Sequence, residues 1–151
     1  METTDQGPRV VVGIDGSEAS YEALRWAVRH ALRIGGRVDA VAAYDVPGAV
    51  GWSAPAVDAD FDAAQAKKHL GEEARTVLGQ LRADVSLDER VVRGNASEIL
   101  VEAARGAELL VVGNRGRGGF TRLLLGSVSQ QCALHAPCPV VIVRRGTQPD
   151  A

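Results

Sequence analysis

Three glycines and two serines sit at a spacing suited to holding an anion: Val111-Val112-Gly113-Asn114-Arg115-Gly116 and, after nine intervening residues, Gly126-Ser127-Val128-Ser129. Glycines at 113, 116 and 126 let main-chain amides approach a phosphate with no Cβ in the way, so a methyl at 113 is expected to intrude on the ligand. Ser127 and Ser129 add hydroxyl donors. If a helix starts at Ser127, its first N–H groups and the positive end of its dipole point at the same place. This chemistry suits binding of a nucleotide through its phosphates. A loop that only needs tight turns would use the same glycines; a strand before them and a helix after them favour the cradle.

The flanking sequence supplies both elements. Leu109 to Val112 is a continuous apolar run of the kind covered on both faces, and Ser127 to His135 predicts a helix. Upstream, Arg9 to Asp15 is a β-branched run that stops at Asp15-Gly16-Ser17, a turn that opens a helix. In that helix Ala23, Leu24, Ala27, Val28, Ala31 and Leu32 recur at helical spacing, and Gly35-Gly36 ends it. Val38 to Tyr44 reads as a second strand, and Asp45 to Asp58 as a loop holding Pro47, Gly48, Gly51 and Pro55. Leu70, Ala74, Val77, Leu78 and Leu81 mark a second helix that begins near Asp60. A third strand runs from about Leu87 to Val92. Asn95 caps a third helix, with Glu98 completing a pair like a capping box, and the helix ends near Gly106. Val140 to Val143, launched by Ala136-Pro137-Cys138-Pro139, is the fifth strand.

Strict alternation of strands and helices implies parallel strands joined by right-handed crossovers, hence an open five-stranded α/β sheet covered on both faces. Ligands of such sheets bind beyond the carboxyl ends of the strands, where the winding reverses. In the order 3-2-1-4-5, Asp15 at the end of strand one and Gly113 at the end of strand four face one crevice. A carboxylate suits ribose hydroxyls and the glycine loop suits phosphates, a combination that describes a ribonucleotide. Asp15 could also cap the first helix through its neighbours, and both roles can coexist.

A chain of 151 residues with 46% hydrophobic content makes one domain, expected over residues 9–144 between a flexible N-terminus (1–8) and a flexible tail (145–151). The formal net charge of -2 gives no general attraction to nucleic acid or to an anionic membrane. No run is long enough to span a bilayer, and the polar, acidic start is unlike a signal peptide, so a cytoplasmic location is expected. Cys132 and Cys138 form no C-x-x-C pair and read as small hydrophobes.

Val10-Val11-Val12-Gly13-Ile14-Asp15-Gly16-Ser17, the glycine loop with Leu125-Gly126-Ser127-Val128-Ser129, and the ending Ala136-Pro137-Cys138-Pro139-Val140-Val141-Ile142-Val143 together resemble the universal stress protein family. The spacing of Gly113, Gly116, Gly126 and Ser127 resembles that of its ATP-binding branch. The resemblance implies a Rossmann-like fold and bound ATP with little or no turnover, often with magnesium. It implies that Asp15 contacts the ribose and that the backbone near Ala43 holds the adenine. Gly113, Gly116, Gly126, Ser127, Val128 and Ser129 would hold the phosphates. It also implies homodimers paired along the last strand and a role in stress resistance or dormancy. Val140 to Val143 would be an apolar edge strand, which proteins cover or pair, and this too predicts a symmetric dimer. The second strand lacks the histidine commonly found before the adenine position.

Other chemistries fit less well. A P-loop needs a lysine in its glycine loop, and the only lysines are Lys67 and Lys68. A dinucleotide fingerprint needs glycines that Gly13-Ile14-Asp15-Gly16-Ser17 lacks. Nothing identifies a general base, so the expected role is a nucleotide-dependent regulator and not an enzyme. A slow ATPase stays open, as does a dimeric interaction protein that binds AMP or a cyclic nucleotide. Cys132, His135 and Cys138 offer only three zinc ligands; packing explains them more simply. Arg115, Arg117 and Arg122 suit either phosphates or solvent, His30 and His69 have no nucleophile beside them, and Trp52 reads as a loop aromatic.

Overall fold

The computed structural model describes residues 7–44, 59–82, 84–114 and 125–144. Five strands alternate with four helices: β1 (Arg9–Ile14), α1 (Glu18–Ile34), β2 (Arg37–Tyr44), α2 (Ala59–Leu81), β3 (Leu87–Arg93), α3 (Ala96–Ala103), β4 (Leu109–Gly113), α4 (Ser127–His135) and β5 (Val140–Val143). They form one sheet in the order β3-β2-β1-β4-β5 with every pairing parallel. The winding therefore reverses between β1 and β4, and β3 and β5 are the edges.

Alternation along the strands divides the core in two. Val10 and Val12 of β1 join Leu24 and Val28 of α1 and Leu70 and Val77 of α2. Val11, turned the other way, packs with Leu100 of α3, Leu110 and Val112 of β4, and Cys132 of α4. The sheet thus carries α1 and α2 on one face and α3 and α4 on the other. All five of these strand valines and leucines lie at 3% exposure or less, as expected of a sheet covered on both sides.

Local sequence sets the helix ends. Ser17 caps α1 by accepting from the Ser20 N–H, and Gly35 closes it in the left-handed region at φ +67°. Asn95 caps α3 by accepting from the Glu98 N–H at 3.0 Å. That helix stops at Ala103, short of the expected Gly106, and the turn after it is taken over by Arg9. The Arg9 guanidinium donates to the carbonyls of Ala103 at 2.8 Å and Arg105 at 2.7 Å, occupying acceptors at the helix C-terminus where a cation is favoured.

Arg9 also reaches Asp39, a carboxylate 6% exposed in the middle of β2. Arg90 of β3 meets the same carboxylate with Nε on Oδ1 at 3.2 Å and a terminal nitrogen on Oδ2 at 3.0 Å. The three groups fasten the edge strand and the end of α3 to the centre of the sheet. A cavity of about 730 Å³ lies against them, lined also by Glu98 and Glu102 of α3.

The polar N-terminal residues 1–6, the loop 45–58 with Trp52, the stretch 115–124 with Arg115, Gly116, Arg117 and Arg122, and the tail 145–151 lie outside the described residues.

Candidate functional site

The crevice at the switch point is built from the ends of β1 and β4 and the starts of α1 and α4. After Ile14 the chain turns through Asp15 and Gly16, whose φ of +85° favours a residue without Cβ. Asp15 is exposed, and its Oδ1 accepts from the Ser17 N–H at 2.8 Å. This bond shapes the turn that delivers the cap of α1. A carboxylate accepts at both oxygens, so serving the turn and serving a ligand are compatible roles.

Across the crevice, Gly113 ends β4. A Cβ there would lie 2.8 Å from Ala19 Cβ, 2.9 Å from Ala19 C and 3.0 Å from Ala19 O. The glycine is thus demanded by the first turn of α1, which rests directly on the end of β4. This corrects the expectation that a methyl at 113 would point at the ligand. Gly13 plays the matching part on the other face, where a Cβ would meet Leu100 Cδ1 of α3 at 2.7 Å. Helices close in on both sides of the sheet just below the crevice.

Asn114 follows Gly113 and ties three elements together. Its N–H donates to Val143 O at 2.8 Å, and its carbonyl accepts from the Gly126 N–H at 2.7 Å. The same carbonyl accepts from Ser129 Oγ at 3.0 Å. Gly126 is thereby fixed as the N-cap of α4. Among the described residues no side chain caps this helix, whereas Ser17 caps α1 and Asn95 caps α3. The first-turn amides of Ser127, Val128 and Ser129 therefore present an uncompensated positive end.

The residues singled out from sequence divide accordingly. Gly113, Gly126, Ser127, Val128 and Ser129 come together at the junction of β4 and α4, with Asp15 at the end of the neighbouring strand. Ser127 is exposed and Val128 half-buried. Ser129 is 2% exposed and its hydroxyl is directed at the carbonyls of Asn114 and Gly126, so what it offers an anion is its main-chain N–H. Ala43 lies in β2 one residue beyond the last pairing with β1, Ile14 with Ala42, and is itself paired with Val92. Gly116 falls outside the described residues. A groove of about 610 Å³ runs from Ser127 and Val128 along α4 and is bounded opposite by Asn95, Ala96 and Ser97 at the start of α3.

The residue that sequence reasoning passed over is Asn114, counted only as a spacer between two glycines. It is 8% exposed, and its Oδ1 meets no hydrogen-bond donor among the described residues. Nothing in a sequence marks such an atom.

The family model described as "Universal stress protein family" matches residues 8–144. The chain belongs to the universal stress protein family. A curated relative from Mycolicibacterium smegmatis, named a universal stress protein, is 39% identical over 141 residues, which cover 89% of this chain and 45% of the relative. This universal stress protein chain thus spans about half the length of the curated relatives it matches. Among solved structures, universal stress protein UspA from Lactobacillus plantarum superimposes with a TM-score of 0.76 at 24% identity, covering 93% of this chain and all of that one (100%). A universal stress protein solved in complex with cAMP gives a TM-score of 0.66 at 28% identity over 94% of this chain and 100% of that one.

Proposed function

We propose that this universal stress protein is a cytoplasmic ATP-binding regulator of a stress response or dormancy, one that binds nucleotide in the crevice between β1 and β4 and is not chiefly a catalyst. The observation that carries the proposal is the uncapped start of α4: of the three helices whose starts are described, it alone lacks a side-chain acceptor, and it opens at the switch point. The solved relative that holds cAMP, at 28% identity, supports a nucleotide as the ligand.

In this reading Gly113, Gly116, Gly126, Ser127, Val128 and Ser129 hold the phosphates, mainly through main-chain N–H groups. Asp15 accepts from the ribose, and the main chain of Ala43 holds adenine. Magnesium fits as a companion of the phosphates. Among the described residues no group of three His, Cys, Asp or Glu side chains could hold a metal unaided. Magnesium keeps several waters and needs only one or two protein oxygens beside phosphate, and the exposed Ser127 hydroxyl could supply one. When bound it would neutralise phosphate charge.

The apolar edge strand β5 is proposed to pair with that of a second copy. Denaturing the purified protein and identifying any released nucleotide by mass spectrometry, followed by calorimetry with ATP, AMP and cAMP, tests the ligand. ATP as the released and tightest species supports the proposal. Preference for cAMP or AMP favours the second reading, an interaction protein that responds to a mononucleotide, and an empty site indifferent to all three ends both.

A further inference from the structure

Asn114 is the polar side chain that phosphate binding leaves unexplained. Its Oδ1 is enclosed and meets no donor among the described residues, although the residue is 8% exposed. Enclosed acceptors without a donor are few in native proteins, and each has a cause. Both main-chain groups of Asn114 are engaged, one with Val143 and the other with Gly126 and Ser129, which fixes the backbone that carries the side chain.

Its position indicates the cause. The last pairing of β1 with β4 is Val12 with Val111, and Asp15 and Asn114 each follow it by three residues, at the ends of two neighbouring strands. The Cβ direction at Gly113 points to α1, so alternation turns Asn114 to the opposite face, where α4 begins. A carboxamide oxygen can only accept, and phosphates have no proton to give. The donors of a nucleotide are its base N–H groups and its ribose hydroxyls.

We propose that Asn114 is a ribose-recognition residue, its carboxamide oxygen accepting one hydroxyl of the cis-diol while Asp15 accepts the other. The inference rests on the crevice being a ribonucleotide site. A neutral acceptor suits this place, since a second carboxylate would set another negative charge beside the phosphates. For that bond the enclosed Oδ1 must become accessible when nucleotide binds, a change that the new hydrogen bond itself would favour.

The test is calorimetry of the full chain, of N114A and of N114D with ATP, 2′-deoxyATP and 3′-deoxyATP, together with melting of each protein without nucleotide. The unsubstituted chain should lose about tenfold in affinity when either hydroxyl is removed. N114A should bind ATP about tenfold more weakly and no longer distinguish ATP from one of the two deoxy analogues. Its melting temperature without nucleotide should not fall, because an unsatisfied acceptor has been removed. N114D should bind ATP more weakly than N114A. N114A that keeps both hydroxyl penalties, or that loses affinity only alongside a lower melting temperature, overturns the inference and leaves nucleotide binding standing. An unsubstituted chain that binds none of the three removes the nucleotide reading and this inference with it.

Discussion

Replacing Gly113 with alanine separates two reasons for a glycine at the mouth of the crevice. The added Cβ would come within 2.8 to 3.0 Å of Ala19, and two of the three atoms it meets are main chain, so no side-chain rotation relieves the contact. Either the first turn of α1 or the end of β4 must shift. Forcing one methyl into a closely packed contact costs about 1–3 kcal/mol. For a chain of 151 residues, a loss of that size lowers the melting temperature by about 2–12 °C, at roughly 2–4 °C per kcal/mol. Gly13→Ala is the internal control: its new Cβ meets the far end of the Leu100 side chain, which can rotate, so the loss should be smaller. Urea unfolding gives the stabilities and calorimetry the ATP affinity. Gly113→Ala should lower both, because a displaced α1 carries Ser17, and with it the Asp15 turn, out of place. A variant as stable as the parent that nevertheless fails to bind ATP would show that the glycine faces the ligand, and the packing argument would be wrong.

Asp15→Ala should weaken ATP binding by about 1–3 kcal/mol in calorimetry, since it removes a charged acceptor for ribose; unchanged affinity would exclude that role. Asp39→Ala leaves Arg9 and Arg90 facing each other without their shared carboxylate. It should cost about 3 kcal/mol in urea unfolding, the low end for a broken buried pair because the Arg90 side chain is 47% exposed; an unshifted midpoint would refute this. Burial pushes the Cys132 thiol up to about 11 from 9.0. The unfolded chain therefore ionises first, so the stability that the neutral thiol contributes is present in full below pH 9.0 and is lost as pH rises through about 11. Cys132→Val should flatten that loss in unfolding midpoints measured across the interval, and a parallel decline in both proteins would count against it. Light scattering at micromolar concentration should give a dimer mass, and a monomer there would remove the β5 pairing.

Much of this molecule is legible without coordinates. Helix starts at Ser17 and Asn95, the left-handed close at Gly35, the helix from Ser127 to His135 and the strand from Val140 to Val143 follow from caps, periodicity and β-branched runs. Such signals act between residues a few positions apart, and alternation of the elements then leaves few topologies to choose among. The junction of β4 and α4 was legible for the same reason, since its glycines lie in one short stretch.

What the chain does not display along its length are groups brought together by register. Asp39 looks like a stray polar residue in an apolar strand until β3 places Arg90 beside it from 51 residues away. Gly113 resembles a ligand contact until α1 folds down and Ala19 occupies the space its side chain would need. Asn114 passes for a spacer, and only the folded chain shows its Oδ1 enclosed and β5 and α4 both bonded to its main chain. Sequence by itself determined which elements form, in what order they pair and which residues meet at the junction of β4 and α4, because propensity, capping and hydrophobic period are local properties. The tertiary structure alone decided which glycine serves packing and which polar atom lacks a partner, because those depend on close contacts between segments distant in the chain.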